Sequence, residues 1–297
     1  MRLKAIALLA FVGSAAAAQD AGVAAVKHAL KRGDTKEAVA LGEHAAAESP
    51  GSSEAHHLLG KAYGMRAKEA ALFAQGSLAK KCRAELARAV ELDPSNVAAA
   101  LDLVRYDARA PAFLGGGREK AAALAEEIGK RRRSRGEVAR GIVYEAEKNL
   151  AAAEGAYRGA LMADASDGEA LSSLSDFLAS RKRWDDAFTA CRSAAERAPE
   201  DPRPQFEIGL LSAKSARELE RGLAALERFL ALPPASEGPD FADGHELRGR
   251  LLMMSGELEA ARAELEQALA LEPRHAAAVR SLAELARKGA RRGGAVR

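Results

Sequence analysis

The sequence predicts an all-α protein built as a solenoid of stacked helix–turn–helix units, and three observations carry that expectation. Apolar residues make up 48% of the 297 positions but aromatics only 4%. Alanine, the strongest helix former, dominates the apolar share, and the Val/Ile/Thr/Tyr alternation of strands is missing. Landmarks recur at a period of about 34 residues, a spacing that belongs to helical repeats: Ala165, Pro199 and Pro233 form one series, Ala160 and Ala194 another. Within a period a polar turn separates two helical stretches and a stop follows the second; in Glu169 to Pro202 the turn is Arg181 to Arg183 and the stop is Pro199.

Taken from the N-terminus, Met1 to Ala18 carries Arg2 and Lys4, an apolar stretch from Ala5 to Val12, and then Ala16-Ala17-Ala18. That order of regions is a secretory signal peptide with an A-x-A cleavage site, so the mature chain is expected to begin near Gln19 and to be periplasmic or secreted. No cysteine follows that site to take a lipid, and no later stretch reaches the ~20 apolar residues of a membrane span. The repeats fill residues 19–288. Arg32-Gly33-Asp34-Thr35-Lys36-Glu37 supplies a glycine C-cap, an Asp N-cap and a Glu three residues on, and Ser255-Gly256-Glu257 repeats the idea. Pro50, Pro94, Pro199, Pro233 and Pro273 stop second helices.

Two units are irregular, at residues 63–82 and 106–121. The first helix of the earlier one is expected to run on to near Gln75 and turn at Gly76. The stretch "DARAPAFLGGGREKA", Asp107 to Ala121, is expected to fold against Met65 to Phe73 through Phe113. Pro233 to Gly244 reads as a loop by composition. Residues 276–288 read as a capping helix and 289–297 as a basic disordered tail.

The units can be aligned position by position. His56, Leu59, Gly60 and Tyr63 lead to Leu86, Ala89, Leu92 and Pro94; Gly141 and Tyr144 lead to Ala153, Tyr157, Ala160 and Leu161. Phe206, Ile208 and Gly209 lead to Leu226, Leu230, Leu232 and Pro233, and Gly249 and Leu252 to Ala261, Leu265, Ala268, Leu269, Leu271 and Pro273. From Ala21 to Pro273 this pattern resembles the tetratricopeptide repeat. The resemblance implies a right-handed α-solenoid whose first helices line a concave groove. Physically, the small residues let helices approach at the short end of the ~8 to 10 Å range, and stacking buries the apolar stripe that one pair alone leaves open. The "AYGMRAKEA" helix paired with the glycine loop is also similar to exported bacterial repeat proteins and to the repeat-built accessory component of periplasmic TRAP-type transport systems. In this register Cys82 and Cys191 lie several layers apart, beyond the ~7 Å a disulfide spans, so both are expected to be buried free thiols.

Composition and motifs narrow the function. The formal charge is +3; it falls to about +1 without Arg2 and Lys4, and several remaining cations crowd Arg287 to Arg297, so the folded body offers no basic face for nucleic acid. Lys130 to Arg135 reads as a solvated helix end. Gly115-Gly116-Gly117 ahead of a helix has the arrangement of a phosphate cradle, but no Gly-Lys-Ser/Thr follows and no strand precedes, so it reads as a bend. Ser77-x-x-Lys80 lacks its companion motifs, and the adjacent His56 and His57 diverge on a helix. H-E-x-x-H, C-x-x-C and G-x-S-x-G are absent from the sequence. The expectation is a non-catalytic protein with no cofactor and no metal, binding a protein or peptide.

The resemblance assigns the groove to His57, Lys61, Arg105, Arg109, Glu145, Asp176, Phe206, Leu210, Lys214, Arg250, Met253 and Met254. Their mixed charge with apolar side chains suits an extended peptide better than a polyanion. The Lys/Asn clamp of chaperone-binding members is not recognisable. The alternative is a transport-accessory or small-ligand role, with a pocket formed by Tyr63, Met65, Tyr106 and Phe113 beneath the elongated helix and glycine loop.

Overall fold

The computed structural model describes residues 20–235 and 238–294; the expected signal peptide lies outside them. All regular structure among the described residues is helical, divided between two compact units that part at Asn149 and Leu150. The first unit holds α1 (20–32), α2 (Thr35–Glu48), α3 (Ser53–Glu69), α4 (Leu72–Leu92), α5 (Val97–Arg109), a 3-10 turn (Ala112–Leu114), α6 (Arg118–Arg131) and α7 (Arg133–Ala146). The second holds α8 (Leu150–Ala163), α9 (Gly168–Ser180), α10 (Trp184–Arg197), α11 (Arg203–Ser215), α12 (Leu219–Ala231), α13 (Phe241–Ser255), α14 (Leu258–Leu271) and α15 (Ala276–Gly294).

From α2 onward each helix packs on the next within its unit, and the odd-numbered helices also pack on one another, α3 on α5 and α5 on α7 in the first unit, α9 on α11, α11 on α13 and α13 on α15 in the second. Short connections and small contact residues produce this arrangement. Gly33 and Gly256 adopt left-handed φ values of 72° and 87° after α1 and α13, a conformation that costs glycine little. Elsewhere in the same kind of turn Lys148, Lys182 and Ala216 take positive φ without being glycine. The five stop prolines each stand two residues beyond the end of α2, α4, α10, α12 and α14. Asp34 caps α2 by accepting from the Glu37 amide at 3.0 Å, while the Glu37 carboxylate turns to Arg32 at 2.5 Å.

Inside a pair, a leucine of the second helix sits in a socket left by a glycine of the first. A Cβ on Gly60 would stand 2.9 Å from Leu86 Cγ, one on Gly209 2.6 Å from Leu226 Cγ, and one on Gly249 2.8 Å from Leu265 Cγ. Larger residues fill the space around these contacts: Tyr63, Cys82, Leu86 and Leu103 form one buried cluster of the first unit, and Leu226, Leu247 and Leu251 one of the second.

The irregular units depart from expectation in an informative way. α3 stops at Glu69 rather than running to Gln75, Ala70 and Ala71 are extended with ψ of 154° and 149°, and the surplus length goes into α4, which has 21 residues. The break is tied by side chains from outside it: Thr35 Oγ1 donates to Glu69 at 2.5 Å and Gln75 Nε2 donates to the Ala70 carbonyl at 3.0 Å. Gly76, expected at the turn, lies within α4, and Leu114 packs against it at ordinary contact distance, 3.8 Å from the Cβ position. The glycine loop therefore packs on α4, but through Leu114 and Gly115. Phe113 is 76% exposed, because the 3-10 turn directs its neighbour Leu114 inward instead. At the other end, α15 continues to Gly294, through most of the stretch expected as a disordered tail.

Candidate functional site

The glycine loop is a bend, and two of its three glycine amides are already used. Gly115 N–H donates to the Ala112 carbonyl at 2.8 Å and Gly117 N–H to the Asp107 carbonyl at 2.8 Å. A Cβ on Gly116 would fall 1.9 Å from the Ala110 oxygen. Two of the three N–H groups a phosphate would need are thus spent inside the loop, which gives the stretch a structural function. Among the described residues no three His, Cys, Asp or Glu side chains converge to hold a metal.

The face shared by the odd-numbered helices is polar and internally paired. In the first unit, His57 of α3 is buried and its Nε2 lies 2.8 Å from Asp102 Oδ2 on α5, with Nδ1 3.9 Å from Glu54 Oε2. Arg105 donates to Asp102 at 2.9 Å. Burial works against an imidazolium at His57, but the carboxylates of Asp102 and Glu54 prevail and raise its pKa above 6.5. In turn His57 is the largest influence holding Glu54 down to about 2. Burial pushes Asp102 the other way, yet His57 and Arg105 keep its carboxyl below the usual range. His57 is therefore a core residue joining α3 to α5 rather than a groove-lining one. Lys61 is exposed and acts on His57, Arg109 is exposed at the end of α5, and Glu145 on α7 is half-buried.

In the second unit the face is more open. Lys214 of α11 donates to Asp176 of α9 at 2.7 Å, with Asp176 exposed. Burial is the largest influence raising the Glu207 carboxyl above its ordinary range; nearby Asp176 adds to this, while Ser172 and Lys214 oppose it. Leu210 and Phe206 are half-buried, the Phe206 ring 5.2 Å from that of Phe229. On α13, Glu246 accepts from Ser281 of α15 at 3.0 Å and lies 3.8 Å from Arg250 Nε. Met254 is exposed, whereas Met253 is buried with Leu252 and Leu265. Met253 is a correction to the groove assignment, since a helix face one position away turns into the core.

Sequence reasoning missed Glu54, Asp102, Glu207 and Glu246, the acidic partners on this face. Two carried a usable signal: Asp102 precedes Arg105 by three residues and Glu246 precedes Arg250 by four, the spacings at which helix side chains meet.

Tyr63, Met65, Tyr106 and Phe113 do not gather around a pocket. Tyr63 is buried and donates to Glu43 at 2.5 Å, Tyr106 donates to the Leu114 carbonyl at 3.0 Å, Met65 is half-buried, and Phe113 faces solvent. The two tyrosine hydroxyls instead fasten α3 to α2 and the glycine loop to α5. Two open clefts lie in the second unit. One of about 470 Å³ is lined by Arg192, Pro199, Ile208, Arg228 and Leu232; the other, of about 280 Å³, is lined by Arg158, Leu161, Met162, Leu174 and Arg197.

Residues 242–275, spanning α13 and α14, match the family model of the tetratricopeptide repeat. No curated protein matches the sequence. Among solved structures, yeast Tom70 is similar with a TM-score of 0.53 at 15% identity, covering 86% of this chain and 52% of that one, so the chain spans about half of Tom70. YrrB, a tetratricopeptide repeat protein with an unusual peptide-binding site, gives 0.41 at 18% identity over 66% of this chain and 96% of its own. A tetratricopeptide repeat protein from Parabacteroides merdae gives 0.41 at 15% identity over 86% and 93%. At such identity the likeness to Tom70 carries the fold alone. The fold is thus an all-α helical repeat of the tetratricopeptide type, and α13 with α14 is such a repeat in sequence as well.

Proposed function

We propose that this tetratricopeptide-repeat protein is a non-catalytic scaffold or adaptor, exported to the periplasm or secreted, that binds a segment of a protein partner along the face shared by α9, α11 and α13. The fold suits protein–protein interaction. The observation that favours this face is the exposed Asp176–Lys214 pair beside half-buried Leu210 and Phe206. Charge of both signs next to apolar surface recognises an extended peptide: apolar side chains of the peptide cover Leu210, and its charged groups exchange with the existing pair. The order of regions in Met1 to Ala18 supports export.

The test uses two substitutions outside the core, Lys214→Glu and Arg250→Glu. Proteins captured from envelope extracts by the wild-type chain are purified and titrated against both variants. A drop of ten-fold or more in affinity for either supports the face. Equal affinity of every captured partner for the wild type and both variants would sink it. Export is tested separately, by fractionation and N-terminal sequencing of the chain expressed from its own start; retention of Met1 to Ala18 in the cytoplasm would refute that part.

A further inference from the structure

Of the four most exposed large apolar side chains among the described residues, Met162 belongs to the second unit, and the other three lie at one tip of the first unit's irregular pair or beside it in the glycine loop. Leu72 is 87% exposed, Phe73 91% and Phe113 76%. Leu72 and Phe73 open α4. Gly76 follows Phe73 by one helical turn on the same face, and Leu114, next to Phe113, lies against Gly76. Exposed large apolar side chains on two segments that pack on each other, the start of α4 and the 3-10 turn, mark a surface that is covered in use.

The surroundings indicate what covers it. Lys68 lies in the last turn of α3 just before the tip, Lys80 lies further along α4, Arg109 ends α5, and Arg118 and Lys120 open α6; all five are exposed. Glu69 and Glu119 are the exposed acids of these segments. Lys120 also donates to the Gly115 carbonyl at 3.3 Å, which holds its charge over the loop. Both helices that start here, α4 and α6, lack a side-chain N-cap, so their positive dipole ends add to the same field.

We propose that this tip docks on an anionic lipid bilayer. Leu72, Phe73 and Phe113 enter the interface between headgroups and acyl chains, and the basic rim sits among the anionic headgroups. Apolar prongs alone would fit a protein cleft equally well; the excess of five cations over two acids selects a surface of distributed negative charge.

The experiment places a reporter at the tip of the full-length chain. Phe113→Trp is read against the parent protein, whose Trp184 gives the background, with vesicles of phosphatidylcholine alone or mixed with phosphatidylglycerol. Emission from the introduced indole is expected to shift to the blue and to be quenched by brominated acyl chains when phosphatidylglycerol is present. Binding should weaken ten-fold or more at ~0.5 M salt, where charges are screened within a few ångströms. Adding Leu72→Ser and Phe73→Ser should weaken it by at least ten-fold; Met1 to Ala18 is common to every variant, so the difference belongs to the tip. Unmoved emission from the introduced indole, or binding to both vesicle types alike without salt dependence, overturns the proposal. So does unmoved emission combined with concentration-dependent self-association that the two serine substitutions abolish, which would make a second copy the occupant.

Discussion

Arg83 of α4 grips the buried carboxylate of Asp107 on α5, its Nε 2.7 Å from Oδ1 and its Nη2 3.1 Å from Oδ2. The carbonyl of Asp107 receives the Gly117 N–H, and the stem of Arg83 lies under Gly115. One residue pair thus ties the lengthened helix, its neighbour and the glycine loop.

Arg83→Ala leaves a buried carboxylate without its forked partner, a change that costs about 2–4 kcal/mol. The first unit should unfold at correspondingly lower urea, and the peptide around Gly115 to Gly117 should become susceptible to limited proteolysis. An unchanged midpoint would mean that the pair contributes nothing to stability.

The three consecutive glycines should respond differently to alanine. At Gly116 the new Cβ would meet backbone at 1.9 Å, and at Gly115 it would meet both a left-handed φ of 91° and Arg83 Cδ at 3.0 Å. At Gly117 the backbone is extended and the nearest atom is Lys120 Cδ at 3.5 Å. Gly116→Ala should destabilise by about 2 kcal/mol or more, Gly115→Ala by about 1–2, and Gly117→Ala by under about 0.5. Thermal melts of the three variants test the ranking; a Gly117→Ala loss equal to that of Gly116→Ala would refute the geometry.

The His57 cluster predicts a window of pH. His57 has a folded pKa above 6.5, so its contribution is complete below 6.5 and fades as pH rises through the folded value. Asp102 and Glu54 are held below 3.8 and 4.5, so theirs is complete above those values and fades as pH falls through the lowered ones. The stability lost in His57→Gln should therefore be greatest near about pH 5.5 and shrink above neutrality. Denaturant unfolding of both proteins across pH checks this, and a loss that does not vary with pH would contradict it.

Both thiols should be silent in the native protein. Burial pushes Cys82 up to about 12 and raises Cys191 as well, and neither is in a disulfide. Since the thiolate is the reactive form, native protein should bind no iodoacetamide and denatured protein two equivalents by mass. Labelling of Cys82 without denaturant would show that the α3–α4 pair opens.

Much of the fold was legible because it is written locally. Gly33 and Gly256 announce left-handed turns, the prolines announce stops, and the sockets at Gly60, Gly209 and Gly249 follow from small residues at a fixed place in each period. The left-handed residues Lys148, Lys182 and Ala216 carry no glycine to announce them, although Arg181 to Arg183 is readable as a turn from its polarity, because their side chains do not favour the conformation they adopt. The break at Ala70-Ala71 was hidden for the opposite reason: two alanines favour helix, and the interruption is set by Thr35, Gln75 and Leu114, from outside the segment or across a turn. On the candidate face, Asp176 and Lys214 were both legible as outward positions of first helices. His57 and Met253 were not separable from them, because a helix turns a residue from solvent to core within one step of about 100°.

The glycine sockets bear on how such a chain changes over generations. Gly209 and Leu226 lie about half a period apart in sequence, as do Gly249 and Leu265, while Gly60 and Leu86 are separated by about nine residues more, yet the same contact closes in all three pairs. The extra residues between Gly60 and Leu86 are thus taken up in the far ends of α3 and α4 and their connection, without loss of the socket contact. A chain of this kind can acquire a projection in one pair, and test a new use for it, while the remaining pairs keep their packing.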